Sequence, residues 1–499
     1  MSTAINIIEK VPFFGRMFKL EDNELNAVNA WPSLMAMTSF IWFFIAAVLG
    51  LTMPAIQFLD LGSNWYYQNI TLHGAAMAFP FAFQLMVGMS LHRAGACLGK
   101  RADGLLVSLF YIFMNLGALL LTVAVLAGFH VTYTVMFPLP VVGVATGQWS
   151  MWVLVLGFSG IALVLTSMIF IYPIKILRMS FFEKKDENLQ LAERSLKDPG
   201  MVGMIMGVLV LLVTGTPLMI TATPLLLHLY GLLPAAWIAW AADPVVFEFV
   251  FYIFAHNLME AMAIMVIGAV YATLPLCLAD GARKLYSDKI ANLALWILLV
   301  TSLTSFFHHF FTMYPALPAT FVYHGNIMSY ATAIGGALTI FTILATIWKH
   351  GIVATPALML ILGGFVMYIL DGVSAIIISN VAWNFQLHGT MWAGGHAMVV
   401  LIAISALWMG MLYYHYPLMT NRVIDDSIAR KSIKYFFLSY IGLFYSFAAA
   451  GAAGMPRRNA AWETEWYIYG ALILIFGFML LYAFVLYFLS LTKSKEIGY

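Results

Sequence analysis

Apolar side chains run along this chain in long continuous blocks separated by short polar stretches. A membrane-spanning helix needs ~20 mostly apolar residues, whereas the strands of a membrane barrel alternate in ~10-residue units. Continuous blocks therefore predict helices. Twelve are expected, at 33–56, 70–96, 105–128, 148–172, 200–222, 243–274, 289–313, 321–348, 355–380, 387–414, 433–453 and 466–491. The whole chain, 1–499, reads as one all-α polytopic membrane domain: a cytoplasmic tail over 1–32, a twelve-helix bundle over 33–491 and a second cytoplasmic tail over 492–499. The longest polar connector, around Lys184 to Asp198, is a loop and not a soluble domain.

Composition agrees: 63% of residues are hydrophobic and 9% charged, against ~25% charged in an ordinary soluble domain. The lipid bilayer is thus one partner. Nucleic acid is excluded, because a net charge of +2 with scattered basic residues offers a polyanion no footprint. Two cysteines, Cys97 and Cys277, are too few and too far apart for a disulfide scaffold or a Cys-based metal motif. The first 30 residues carry Glu9, Lys10, Arg16, Lys19, Glu21 and Asp22 without a central apolar run, which does not read as a cleavable signal.

Twelve helices return the chain to the side it started from, and cytoplasmic loops should hold the Lys and Arg. Arg93, Lys100 and Arg101, the run Lys175 to Lys197, Arg283 to Lys289, Lys349, and Arg422 to Lys434 all fall on the side of the termini. Of the 24 basic residues only Arg457 and Arg458 fall opposite, so that pair is expected to meet anionic groups.

An ionisable side chain at membrane depth costs several kcal/mol and points to function. His73, His256, His308, His309, His388 and His396 all fall in the outer half of the membrane. A lone histidine on an apolar face is ordinarily a satisfied core residue; six at one depth, including an adjacent pair, are not. His92, His130, His228, His324, His350 and His415 lie at helix ends or in loops and carry no such expectation. His256 and Glu260 are i and i+4, one turn apart on one face, where imidazole and carboxylate can share a metal. Adjacent His308 and His309 point ~100° apart, so they reach one metal only if the helix is locally wound or the metal sits between their faces, with His256 as third ligand. His396 and Met398, about 200° apart, could ligate different cofactors on either side of one helix. No Cys-His attachment motif occurs, so any haem is held without thioether bonds.

These residues resemble the catalytic subunit of the haem-copper oxidase superfamily over nearly the whole chain. DPVVFEFVFYIFAH, Asp243 to His256, is similar to the helix 6 run that ends on the first copper ligand. HHFFT at His308 to Thr312 resembles the pair of further ligands in helix 7. LHGTMWAGGHAM, from Leu387 to Met398, resembles helix 10, where a histidine near the propionates precedes the high-spin haem ligand by eight residues. AGMPRR at Ala453 to Arg458 resembles the propionate-binding arginine pair, and LHGAAMAF from Leu72 the helix 2 ligand of the low-spin haem. The resemblance implies that His256, His308 and His309 hold the second metal, His396 the high-spin haem iron and His73 the low-spin haem iron. Arg457, Arg458 and His388 would lie at the haem propionates. The position that normally supplies the second low-spin ligand as histidine is Met398 here.

Departures from the oxidases direct the expected function. The cross-linked tyrosine four residues after the first metal ligand is replaced by Glu260, and Ile290 to Phe307 holds no tyrosine as another oxidase branch would. The helix 8 lysine of the oxidase proton path is missing, with Thr339 near that place, and no counterpart of the Asp-based pumping route follows helix 3. A His-x-x-x-Glu pair in helix 6 is instead what the superfamily's nitric oxide reductases carry. The resemblance thus implies reduction of two NO to N2O and water in a bacterial or archaeal cell membrane. It implies two b-type haems and one non-haem metal, iron or copper, with the carboxylate leaning toward iron. Electrons would come from a partner on the outer face, a cytochrome c or cupredoxin type of protein. The alternatives are a terminal oxidase, or a twelve-helix transporter, although no inverted repeat is visible.

Overall fold

The computed structural model describes residues 3–10, 26–130, 149–187, 189, 196–313 and 317–497. Twelve helical segments in it are long and apolar enough to cross a membrane. They run Val28–Leu59, Asn64–Leu98, Leu105–Leu126, Met151–Phe181, Pro199–Leu229, Pro244–Cys277, Asp288–Met313, Ala319–His350, Pro356–Ser379, Met391–Thr420, Asp426–Ala452 and Thr464–Thr492, called spans 1 to 12 below. At 1.5 Å per residue the 35-residue span 2 is ~50 Å long, so its ends rise past a hydrocarbon core of ~30 Å.

Helix starts are written locally. Asp198, Asp243 and Thr355 each precede a proline and each caps the helix by accepting from a backbone N–H, as Asp243 does from Val246 at 3.0 Å. A missing N–H at N1 costs nothing there, and the cap satisfies one of the helix's free donors. Close approach of spans falls at small residues, where van der Waals packing has to replace the hydrophobic drive between helices. A Cβ on Gly203 would lie 2.9 Å from the Cα of Gly268, joining spans 5 and 6, and one on Gly117 2.7 Å from the carbonyl of Gly160, joining spans 3 and 4. Two spans carry a π-helical turn, Met77–Phe83 and Ser167–Ile171, the first around Pro80 just after His73.

Two expectations are corrected. The segment 1–32 is not simply a tail: Thr3–Lys10 is a helix whose Ala4, Ile5 and Ile8 are buried in the core, and span 1 begins at Val28. An apolar side of three residues is too short to register as a span yet long enough to dock. Arg16, Lys19, Glu21 and Asp22 of that tail, and part of the Lys184 to Asp198 connector, lie outside the described residues. Nor does span 10 begin before His388. Val381–Leu387 forms a separate short helix capped by Asn380, and His388 sits in the turn ahead of Met391.

At the end of the bundle that carries the basic loops, the end of span 10 is tied to the end of span 12. Arg422–Val423 pairs antiparallel with Lys495–Glu496, and Arg422 also meets Glu496 at 3.2 Å.

Candidate active site

All twelve spans contribute side chains to a cavity of about 1000 Å³, and spans 2, 6, 7, 9 and 10 bring candidate residues to it. Its lining includes His73, His256, Glu260, His308, His309, His388, His396, Met398, Arg457 and Arg458, so every candidate named from the sequence borders one space.

His256, His308 and His309 form its tightest group, with ligand nitrogens all within 4.8 Å of one another. Metal–nitrogen bonds are about 2.0–2.1 Å, which sets tetrahedral ligand nitrogens ~3.4 Å apart, so the widest pair has to close by about 1 Å to share one ion. The His308–His309 segment, Phe306–Met313, is 3-10 helix and not α. Three residues per turn widens the angle between neighbours to ~120°, so winding does not bring these rings together. They meet because His256 projects toward both: ring centroids lie 4.8 Å from His256 to His308, 5.5 Å from His256 to His309 and 4.6 Å between the pair. Span 8 lies directly on this turn at Gly325, where a Cβ would be 2.8 Å from the His308 nitrogen. One helical turn later Ser329 lies 2.9 Å from Nδ1 of His308. Its hydroxyl proton is already given to the Gly325 carbonyl at 2.6 Å, so Nδ1–H of His308 donates and Nε2 keeps its lone pair. Tyr252 stacks on His309 at 4.4 Å. Nδ1 of His256 is buried with no hydrogen-bond partner among the described residues.

Glu260 follows one turn after His256 and brings Oε1 to 4.0 Å from its Nε2, adjoining the three-histidine group without being part of it. His396 on span 10 gives Nδ1–H to Oδ1 of Asp371 on span 9 at 2.8 Å. His73 on span 2 gives Nδ1–H to the Ala46 carbonyl at 2.7 Å, and Gly50 of span 1 packs against the same ring. In both residues Nε2 is left as the available donor atom.

The arginine pair is brought to the cavity by a clip. Gly454, at φ +82°, turns the chain after span 11. Met391 N–H then bonds the Met455 carbonyl at 2.8 Å, and Arg457 N–H the Gly389 carbonyl at 3.0 Å. His388 is thereby held beside both guanidinium groups. Burial first, and then the charges of Arg457 and Arg458, pushes its imidazole down to about 4, so it stays neutral at physiological pH.

Sequence reasoning missed Asp371, although an acidic side chain in mid-span is itself a signal that function holds it there. It also missed Ser329 and the Ala46 carbonyl, for which a hydroxyl and a backbone oxygen leave no such signal.

The profile of the family "Cytochrome C and Quinol oxidase polypeptide I" matches residues 33–490. The chain is 23% identical over 477 residues to cytochrome c oxidase subunit 1 of Thermostichus vulcanus, covering 92% of this chain and 82% of that protein. It is 25% identical over 466 residues to quinol oxidase subunit 1 of Bacillus subtilis, covering 90% and 68%. A solved structure described as a heme-copper terminal oxidase dimer superposes with a TM-score of 0.77 over 100% of this chain and 86% of its own, at 18% identity. That likeness is one of fold. With the family match spanning all twelve membrane helices and the histidines converging on one cavity, the chain belongs to the cytochrome c and quinol oxidase polypeptide I family, subunit I of the haem-copper oxidase superfamily.

Proposed function

We propose that this chain is the catalytic subunit of a membrane nitric oxide reductase, taking 2 NO, two electrons and two protons to N2O and water. The observation that carries the reading is Glu260, a carboxylate 4.0 Å from Nε2 of His256, at the position where the resemblance leads one to expect the oxidases' tyrosine. A carboxylate within a membrane span costs several kcal/mol, so a place beside a metal site explains its presence better than packing does.

The residues present fit two haems and a non-haem metal. His73 and His396 each have Nδ1 engaged and Nε2 available, on different helices bordering one large cavity. The unpartnered Nδ1 of His256 and the Nε2 of His308 are the donors an ion needs. His256, His308, His309 and Glu260 would hold the metal, iron or copper, and His396 the high-spin haem. His73 with Met398 would hold the low-spin haem, and Arg457, Arg458 and His388 the propionates. When bound, these groups store the electrons and ligate the substrate. The chain's own part is to orient the donors and exclude water with the apolar wall. Oε1 or Oε2 of Glu260 can in addition take up and release a proton at the site. Electrons would arrive from a cytochrome c or cupredoxin type of partner on the outer face.

A terminal oxidase is the second reading. The names of the relatives favour it, and so do Tyr252 and Tyr368, which border the same cavity and could stand in for the missing tyrosine. Anaerobic turnover of the purified complex with NO, compared with O2 and accompanied by metal analysis, separates the two. NO turnover is expected, and Glu260→Ala should lower it on the order of 10²-fold or more with the low-spin haem spectrum intact. Retained NO activity in Glu260→Ala, or O2 as the only substrate turned over, overturns the proposal.

A further inference from the structure

Asp371 belongs to no site named so far except as the partner of His396. It sits in the middle of span 9, is 3% exposed, and places Oδ1 2.8 Å from Nδ1 of His396. The other histidine expected to hold a haem is treated differently: Nδ1–H of His73 goes to a neutral backbone carbonyl, that of Ala46, at 2.7 Å. One cavity therefore holds two imidazoles with Nδ1 engaged, one backed by a carboxylate and one by an amide oxygen.

The proton count on that contact is constrained. A neutral imidazole carries one N–H, and if it were on Nε2 the ring would have no lone pair to offer an iron. Ligation through Nε2 therefore puts the imidazole proton on the Nδ1 side, in the 2.8 Å contact with Oδ1 of Asp371. As a carboxylate, Asp371 brings to that contact a negative charge that the Ala46 carbonyl does not bring to His73. Hydrogen bonds with an ionised partner are roughly twice as strong as neutral ones, and such a partner both fixes the ring and raises the basicity of its other nitrogen.

We infer that Asp371 is the positioning residue that gives His396 imidazolate character, making it a stronger donor to its iron than the carbonyl-backed His73 is to its own. The negative charge opposes reduction of that iron, so Asp371 holds the high-spin haem at a lower potential than a neutral acceptor would and tightens the grip of the protein on the iron. The retention of an acid here, where the surroundings are apolar, has this as its physical reason: its charge is delivered through His396 to the metal and is balanced there. The inference rests on the assignment of His396 to the high-spin haem, and the experiment keeps the two apart.

In Asp371→Asn the amide oxygen still accepts from Nδ1–H, so shape and tautomer persist while the charge is removed. Resonance Raman of the ferrous high-spin haem should show the iron–imidazole stretch at lower frequency than in the unaltered protein. A redox titration should show the ferrous form favoured at least tenfold more, about 59 mV for a one-electron couple. Asp371→Glu should recover part of both shifts, which a merely structural role would not predict. The low-spin haem spectrum serves as the folding control, and Asp371→Ser carries the same two readouts if Asp371→Asn does not assemble. An unchanged stretch and an unchanged potential, with high-spin haem still bound, overturn the inference. High-spin haem retained in His396→Ala instead overturns the site assignment, whatever the Asp371 variants do.

Discussion

Met398 stands two residues beyond His396 on span 10 and borders the same cavity as His73. A thioether is a common haem ligand, and methionine ligation raises the reduction potential relative to two histidines. On the proposed ligation the oxidised protein should show a weak sulfur-to-iron charge-transfer band in the near infrared. Met398→Ala should remove it, and Met398→His should lower the low-spin potential. A magnetic circular dichroism signature of two histidines in the unaltered protein would exclude Met398 and leave its side chain as packing, the usual role of methionine in a core. At this scale most of the site was legible: a histidine, an acid or an arginine in a membrane is expensive enough to stand out from 63% apolar residues. Asp371 obeyed the same rule and was passed over. Its importance comes from the 2.8 Å contact with His396, made between two spans and invisible in either one.

Elements add what single residues cannot. The 3-10 turn at Phe306–Met313 is seated on Gly325 and Ser329 of span 8, so the metal group depends on a helix that contributes no ligand to it. Span 1 stands in the same relation to His73. A Cβ at Gly50 would fall 2.6 Å from Cε1 and 2.8 Å from Nδ1 of that ring, closer than side-chain atoms approach. Gly50→Ala should therefore tilt His73 away from the Ala46 carbonyl, costing about 1–3 kcal/mol through overpacking. Optical spectra should show the low-spin haem shifted or lost while the high-spin haem is unaltered, alongside a lower thermal midpoint in detergent. If both haems respond equally, Gly50 acts on the whole bundle and not on His73. The number of spans followed from apolar run length, and most of their limits did to within a few residues, while the ends of spans 4, 5 and 10 and the starts of spans 2 and 11 lie six to nine residues further out. The docked helix Thr3–Lys10 and the separate helix before His388 were not expected at all, since neither is long enough to be recognised without the bundle it rests on.

For the whole molecule, twelve crossings and the placement of Lys and Arg assign one side to the cytoplasm. Trp383, 54% exposed, lies in the connector between spans 9 and 10, and Tyr286, 51% exposed, in that between spans 6 and 7. A cysteine at position 383 should react with a membrane-impermeant maleimide in intact cells, and one at position 286 only after permeabilisation. Cys97 and Cys277 are buried and should contribute little background. Reversal of the two labelling patterns would turn the bundle over and put Arg457 and Arg458 on the cytoplasmic side.

What the sequence determined by itself was the class of solvent, the number and approximate limits of the helices, an expected orientation and the residues too costly to be there without purpose. Each of these is set by transfer free energy along one dimension, which run length and residue type report directly. The tertiary structure decided which of those residues share a space and which atom each one offers. His256 meets His308 and His309 from another span, and Gly454 turns the chain so that Arg457 reaches Gly389. Nδ1 of His396 is committed to Asp371, leaving Nε2 for chemistry. Those are contacts between helices, fixed by small residues, backbone carbonyls and one-turn offsets that add almost nothing to the hydropathy of the segments that carry them.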